Sequence, residues 1–170
     1  MGRGRLSRSD KFWAGVFRRL ALPRYPRSMA KPVPLGTRGE SRITVEPRHT
    51  LTNWKAHLPP VYSTPNMIGQ MEAAAHNALE PFCDGDEVSV GTAINIVHRA
   101  AAVEGQTITS EAVLESFDGR FYTFKVSSSN GHGVIGYGTV GRAVVSKAKF
   151  EEKQRQKQQT PQTGSRTQAS

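Results

Sequence analysis

The chain has 170 residues and a formal net charge of +9, a length that usually makes one domain and buries a core without covalent staples. Its one cysteine, Cys83, excludes an intramolecular disulfide framework and any zinc site built on several cysteines. No run approaches the roughly 18 consecutive apolar residues of a membrane-spanning helix. The charge is unevenly placed: residues 1–31 carry nine basic side chains against Asp10, residues 147–170 carry six against Glu151 and Glu152, and residues 32–146 carry eight against eleven acids, giving +8, +4 and −3. A nucleic-acid-binding domain carries its basic patch on the fold. Here the basicity sits in the tails, so the middle of the chain is not expected to bind nucleic acid.

In residues 1–31, Phe12, Trp13, Val16, Phe17 and Leu20 recur at helical spacing, with Lys11, Arg18 and Arg19 between them, until Pro23 and Pro26 stop the pattern. Four readings fit this short basic amphipathic helix: an organelle transit peptide, a segment lying on an anionic membrane surface, a disordered extension, or sequence ahead of a start at Met29. The last two are preferred, and with them a cytoplasmic location over an organellar one.

The regular pattern, and with it the expected domain, runs from residue 40 to 148. Residues 42–46 read as a first strand, followed by a loop holding Pro59 and Pro60. Ser63-Thr64-Pro65 then announces a helix, with Thr64 as N-cap and Pro65 in the first turn. Met67, Ile68, Met71, Ala74, Ala75, Ala78, Leu79 and Phe82 form one apolar stripe at the 3.6-residue period, so the helix is expected to reach about residue 82. Its alanines keep it slim enough for a sheet to pack closely. Four strands follow, at about 88–98, 106–117, 120–127 and 133–146, with Asp118-Gly119 as a hairpin turn and Asn130-Gly131 as a second turn. In the first of these, Val88, Val90, Ile94 and Ile96 share a parity that is read as inward. One helix ahead of a run of antiparallel strands cannot build a parallel βαβ sheet. The predicted fold is α+β, an antiparallel sheet wrapped around one long helix. After about Phe150 the chain is rich in Gln, Lys, Thr and Ser with no apolar period, and residues 149–170 read as a disordered polar tail or frayed helix.

Gly136-Tyr-Gly138-Thr-Val-Gly141 matches the spacing of a dinucleotide fingerprint, but that motif must open a helix to hold a pyrophosphate, and Arg142-Ala-Val-Val continues as strand. Close backbone approach in a crowded strand is the preferred use of these glycines. Three other polar residues are better candidates for chemistry. Glu72 lies beside the apolar stripe of the helix, Thr64 lies eight residues earlier on nearly the same face, and His98 shares the inward parity at its strand end. Singly they read as a solvated acid, a cap and a core histidine. Together they bring a carboxylate, a hydroxyl and an imidazole to where the helix meets the sheet, a set suited to acid/base or nucleophilic work. Arg142 shares the parity of Val140 and Val144 and, once buried, needs an anionic partner; it would orient a carboxylate or bind a substrate phosphate. Cys83 reads as packing, and His76 as an exposed helix residue without a partner.

The run Gly91-Thr-Ala-Ile-Asn-Ile-Val-His98, the segment Ser63-Thr64-Pro65-x-Met67-Ile68-x-x-Met71-Glu72, and Gly136-x-Gly-Thr-x-x-Arg142-Ala-Val together resemble the fluoroacetyl-CoA thioesterase family, over about residues 42–150. The resemblance implies a hot-dog fold that dimerises edge to edge and an acyl-CoA substrate; hydrolysis requires only a positioned nucleophile and proton transfer, so no cofactor and no metal are expected. It implies Thr64, Glu72 and His98 as catalytic residues, Gly91 as a backbone position lining the acyl site, and Arg142 as a motif arginine. The chain departs from the family pattern at Thr139-Val140-Gly141-Arg142, where the family has Thr-His-x-Arg, and it lacks phenylalanines in the segment before the helix, Lys55 to Tyr62. The expected activity is hydrolysis of a small or short-chain acyl-CoA, with a non-catalytic acyl-CoA-binding protein as the alternative. Whether Thr64 attacks, or a water with Glu72 as its base, stays open at this level.

Overall fold

The computed structural model describes residues 31–159; the basic amphipathic segment around Phe12–Leu20 and the end of the polar tail lie outside them. Five antiparallel strands, β1 (Arg38–Thr44), β2 (Glu87–His98), β3 (Thr107–Phe117), β4 (Tyr122–Ser129) and β5 (Val134–Ser146), form one sheet in the order β1-β3-β4-β5-β2. Helix α1 (Thr64–Leu79) touches all five strands. Strands sit about 4.8 Å apart and a helix is only about 10 Å across, so contact with both edges requires the sheet to curl around it.

The stripe read from the sequence is the buried face of α1: Met67, Met71, Ala74, Ala75, Ala78 and Leu79 are each at most 1% exposed. They meet Ile108, Ala112 and Leu114 of β3, Phe124 of β4 and Val140 of β5 in the core. The slimness of the helix is used at β1, where a Cβ on Gly39 would overlap the backbone of Ala74 and Ala78. The α-helix ends at Leu79 rather than near Phe82. Pro81 has no N–H to give to the Asn77 carbonyl, and residues Glu80–Phe82 tighten into a 3-10 turn. Thr64 is not the N-cap: Ser63 holds that position, with extended backbone, and Thr64 is the first helical residue.

The inward parity read for β2 holds over only half of the strand. Glu87 and Ser89 are buried, whereas Val88 and Val90 are half-buried and Ile94 is 51% exposed. A register shift against β5 falls between Gly91 and Ala93. An extra residue flips side-chain parity, so Glu87, Ser89 and Gly91 face α1 before the bulge, and Ile96 and His98 after it. After β5 the chain enters a second helix, α2 (Lys147–Gln159), where the sequence reads as polar tail. Its first turn is held by Asp86, whose carboxylate accepts from the Ser146 hydroxyl at 2.7 Å and the Ala148 N–H at 3.2 Å.

Candidate active site

The start of α1 is pinned by bonds that involve none of the candidate side chains. The Tyr62 N–H donates to the Ala102 carbonyl and the Ser63 N–H to that of His49. The Asn66 amide donates to the buried Ser63 hydroxyl at 2.7 Å. These bonds leave Thr64 exposed on the first turn, facing the end of β2, where the post-bulge parity aims His98. The Thr64 hydroxyl and His98 Nδ1 lie 2.9 Å apart. His98 Nε2 is 3.0 Å from the Ala100 carbonyl, which only accepts. That bond assigns the ring proton to Nε2, so Nδ1 of the neutral imidazole accepts from Thr64. A hydroxyl within reach of a base whose tautomer is fixed by a third group is the arrangement of an activated nucleophile. The pair opens on a cleft of about 310 Å³ lined also by Leu51, Val61, Tyr62 and Arg99. Among the described residues, no carboxylate lines this cleft.

Glu72 stands two turns further along α1, roughly 12 Å by the rise of a helix, in a second cleft of about 470 Å³ with Gly91, Thr92, Ala93 and Ile94. Its carboxylate lies against Gly91 so closely that a Cβ there would overlap Oε1. Arg142, 6% exposed, holds it from beneath: Nη1 donates to the Glu72 carbonyl at 3.2 Å and lies 3.6 Å from Oε1. Burial pushes the Arg142 pKa down and the Glu72 charge opposes that shift; an arginine stays charged through either. The remaining Arg142 donors go to Ser89, Nε to the hydroxyl at 3.0 Å and Nη2 to the carbonyl at 2.8 Å.

Of the residues singled out in the sequence, Thr64 and His98 meet each other, and Glu72, Gly91 and Arg142 meet each other. The two groups occupy separate clefts of one chain, both opening on β2. His76 is not the partnerless exposed residue its helical phase suggests: it is half-buried, with Nδ1 2.8 Å from the Ser89 hydroxyl. Ser89 was missed by the sequence reading because the bulge that turns it inward has no local signature. Tyr62, also missed, is 1% exposed, and its hydroxyl has no hydrogen-bond partner among the described residues. Burial raises the pKa of Cys83, as fits a packed thiol rather than a nucleophile. The glycine run of β5 lies inside the strand, and a Cβ on Gly138 would overlap the backbone of Asn95.

Residues 45–148 match the model of the family described as fluoroacetyl-CoA-specific thioesterase. A fluoroacetyl-CoA thioesterase from Streptantibioticus cattleyicolor is 43% identical over 102 residues, 60% of this chain and 73% of that protein. A solved structure of the fluoroacetyl-CoA thioesterase FlK superposes with a TM-score of 0.71 at 36% identity, over 77% of this chain and 100% of that one. A thioesterase superfamily member from Thermus thermophilus gives 0.70 at 28% identity, over 75% and 95%. A hot-dog-like protein from Thermanaerovibrio acidaminovorans, at 24% identity, shares the fold with a TM-score of 0.69 over 75% and 95%.

Proposed function

The chain belongs to the fluoroacetyl-CoA-specific thioesterase family, and from that premise we propose how its site works. It has the hot-dog fold and is a thioester hydrolase acting on acyl-CoA. The observation that carries the mechanism is the Thr64–His98 contact with its fixed tautomer. Thr64 Oγ1 attacks the thioester carbonyl as its proton passes to His98 Nδ1. The tetrahedral intermediate collapses, the C–S bond breaks, and the departing CoA sulfur takes the proton from His98. A water then attacks the acyl-threonine ester, giving its proton to Glu72; as the bond from the acyl carbon to Thr64 Oγ1 breaks, Glu72 passes that proton to Oγ1 and the free acid leaves. Arg142 holds Glu72 aimed over Gly91. Arg99 brings positive charge to the cleft that a phosphate-bearing thioester must enter. Clefts of this size suit a small or short-chain acyl group.

Both halves of this chemistry open on β2, an edge strand whose outer side has no neighbour in the sheet among the described residues. Ile94 and Val97 on it are 51% and 49% exposed. We infer that the enzyme is a homodimer in which two β2 strands pair antiparallel, covering this edge. A pairing centred on Asn95, with Thr92 as the extra residue of the bulge, sets His98 of each copy opposite Gly91 of the other. Directly opposed residues point to the same face and lie about 5 Å apart, so Thr64 and His98 of one copy join Glu72 of the second copy.

The test of the chemistry is a panel of acyl-CoA thioesters with release of free thiol followed in time. Small acyl groups are expected to turn over fastest. In Glu72→Gln, one acyl group per chain is expected to accumulate on the peptide holding Thr64, with a matching burst of CoA. Thr64→Ala hydrolysing at the wild-type rate would overturn the nucleophile.

A further inference from the structure

We propose that His76 is a positioning residue for Glu72, acting through Ser89 and Arg142. The inference rests on Glu72 serving the hydrolytic step described above. The bonds from Arg142 have a direction fixed by its chemistry. Arginine has donors only, so the 3.0 Å contact from Arg142 Nε makes the Ser89 oxygen an acceptor. His76 Nδ1, 2.8 Å away, is the second partner of the Ser89 hydroxyl and completes its hydrogen bonding. His76 and Glu72 are four residues apart on α1, so they share a helix face and bracket the Arg142–Ser89 pair. Ser89 is 7% exposed and Arg142 is 6% exposed, so little water competes for these bonds. With the His76 partner removed, the Ser89 hydroxyl is free to rotate, the Arg142 guanidinium loses its fixed seat, and the carboxylate it holds over Gly91 loses its aim. His98 and Thr64 take no part in this chain of bonds.

That separation gives the experiment its readout. In stopped-flow assays with the full-length protein and its best acyl-CoA from the panel, His76→Leu is expected to keep the burst of CoA release, which depends on Thr64 and His98. Its steady turnover should fall by about tenfold or more, the scale of a small misplacement of a catalytic group, with KM little changed. His76→Asn, whose side-chain oxygen sits near the position of Nδ1, is expected to recover most of that loss. In a Glu72→Gln background, His76→Leu should cost nothing further, since both changes act on the same group. Should His76→Leu not fold, Ser89→Ala against Ser89→Thr repeats the comparison, with threonine keeping the hydroxyl. The inference is overturned if the folded His76→Leu or Ser89→Ala variant turns over at the wild-type rate, if burst and steady phases slow together, or if its loss multiplies with that of Glu72→Gln. A Glu72→Gln enzyme that itself turns over normally strikes the role of Glu72, a different failure from that of the relay.

Discussion

Gly91 has no side chain because a carboxylate occupies the place where its Cβ would be. Gly91→Ala therefore displaces Glu72 without touching the core, and is expected to lower kcat by about tenfold or more while the melting temperature holds. An unchanged kcat would show that the carboxylate does not need its seat. Thr64 makes a second point at this scale. Because Ser63 is the N-cap, Thr64→Ala does not remove a cap, and its stability should stay within about 0.5 kcal/mol of wild type as turnover is lost. Loss of about 1 kcal/mol, the usual value of a cap, would mean that Thr64 stabilises the helix after all. Tyr62 carries a buried hydroxyl unpaired among the described residues. An unmade buried hydrogen bond costs about 1–3 kcal/mol, so Tyr62→Phe should leave stability unchanged or raise it by about 1 kcal/mol. Urea denaturation reads both variants.

At the level of elements, α1 and the sheet meet through small residues. The contact of Gly39 with Ala74 and Ala78 leaves no room for a methyl group, so Gly39→Ala should force β1 away from the helix and destabilise by about 1–3 kcal/mol. Asp86 links α2 to β5. The Ser146 hydroxyl, then the Ala148 N–H, hold its carboxyl below the ordinary value of 3.8. A depressed carboxyl pKa contributes stability above the unfolded value, which is lost as pH falls through the folded one. The melting-temperature gap between wild type and Asp86→Asn should therefore be full near neutrality and close below pH 3.8; a gap that persists in acid would contradict it. The element order, the apolar face of α1 and both turns were legible in the sequence, because each rests on local periodicity or turn chemistry. The parity of β2 was not. Its bulge depends on how Gly91 and Ala93 register against Arg142 and Gly141 across the sheet, a contact fifty residues away in sequence. With that parity unseen, Ser89 and the partner of His76 were unseen too. The pairing of Thr64 with His98 followed from their placement at the helix start and the strand end. The separation of Glu72 from them did not, since it depends on how α1 lies along the curled sheet.

For the whole molecule, the question is where one complete site resides. A single chain holds Thr64 and His98 in one cleft and the Glu72 carboxylate in another, with β2 between them as an edge unpaired among the described residues. If two copies pair along that edge, each site draws Thr64 and His98 from one chain and Glu72 from the other. Mixing two inactive variants measures this directly. Thr64→Ala and Glu72→Gln chains are unfolded together in equal amounts, refolded, and assayed for steady acyl-CoA hydrolysis. Random pairing makes half of the dimers mixed, and each mixed dimer holds one site with all its native groups and one with neither, so a site shared across a two-fold axis should restore about a quarter of wild-type activity. A mixture no more active than the two variants assayed separately, while light scattering reports dimers, would place the whole site within one chain.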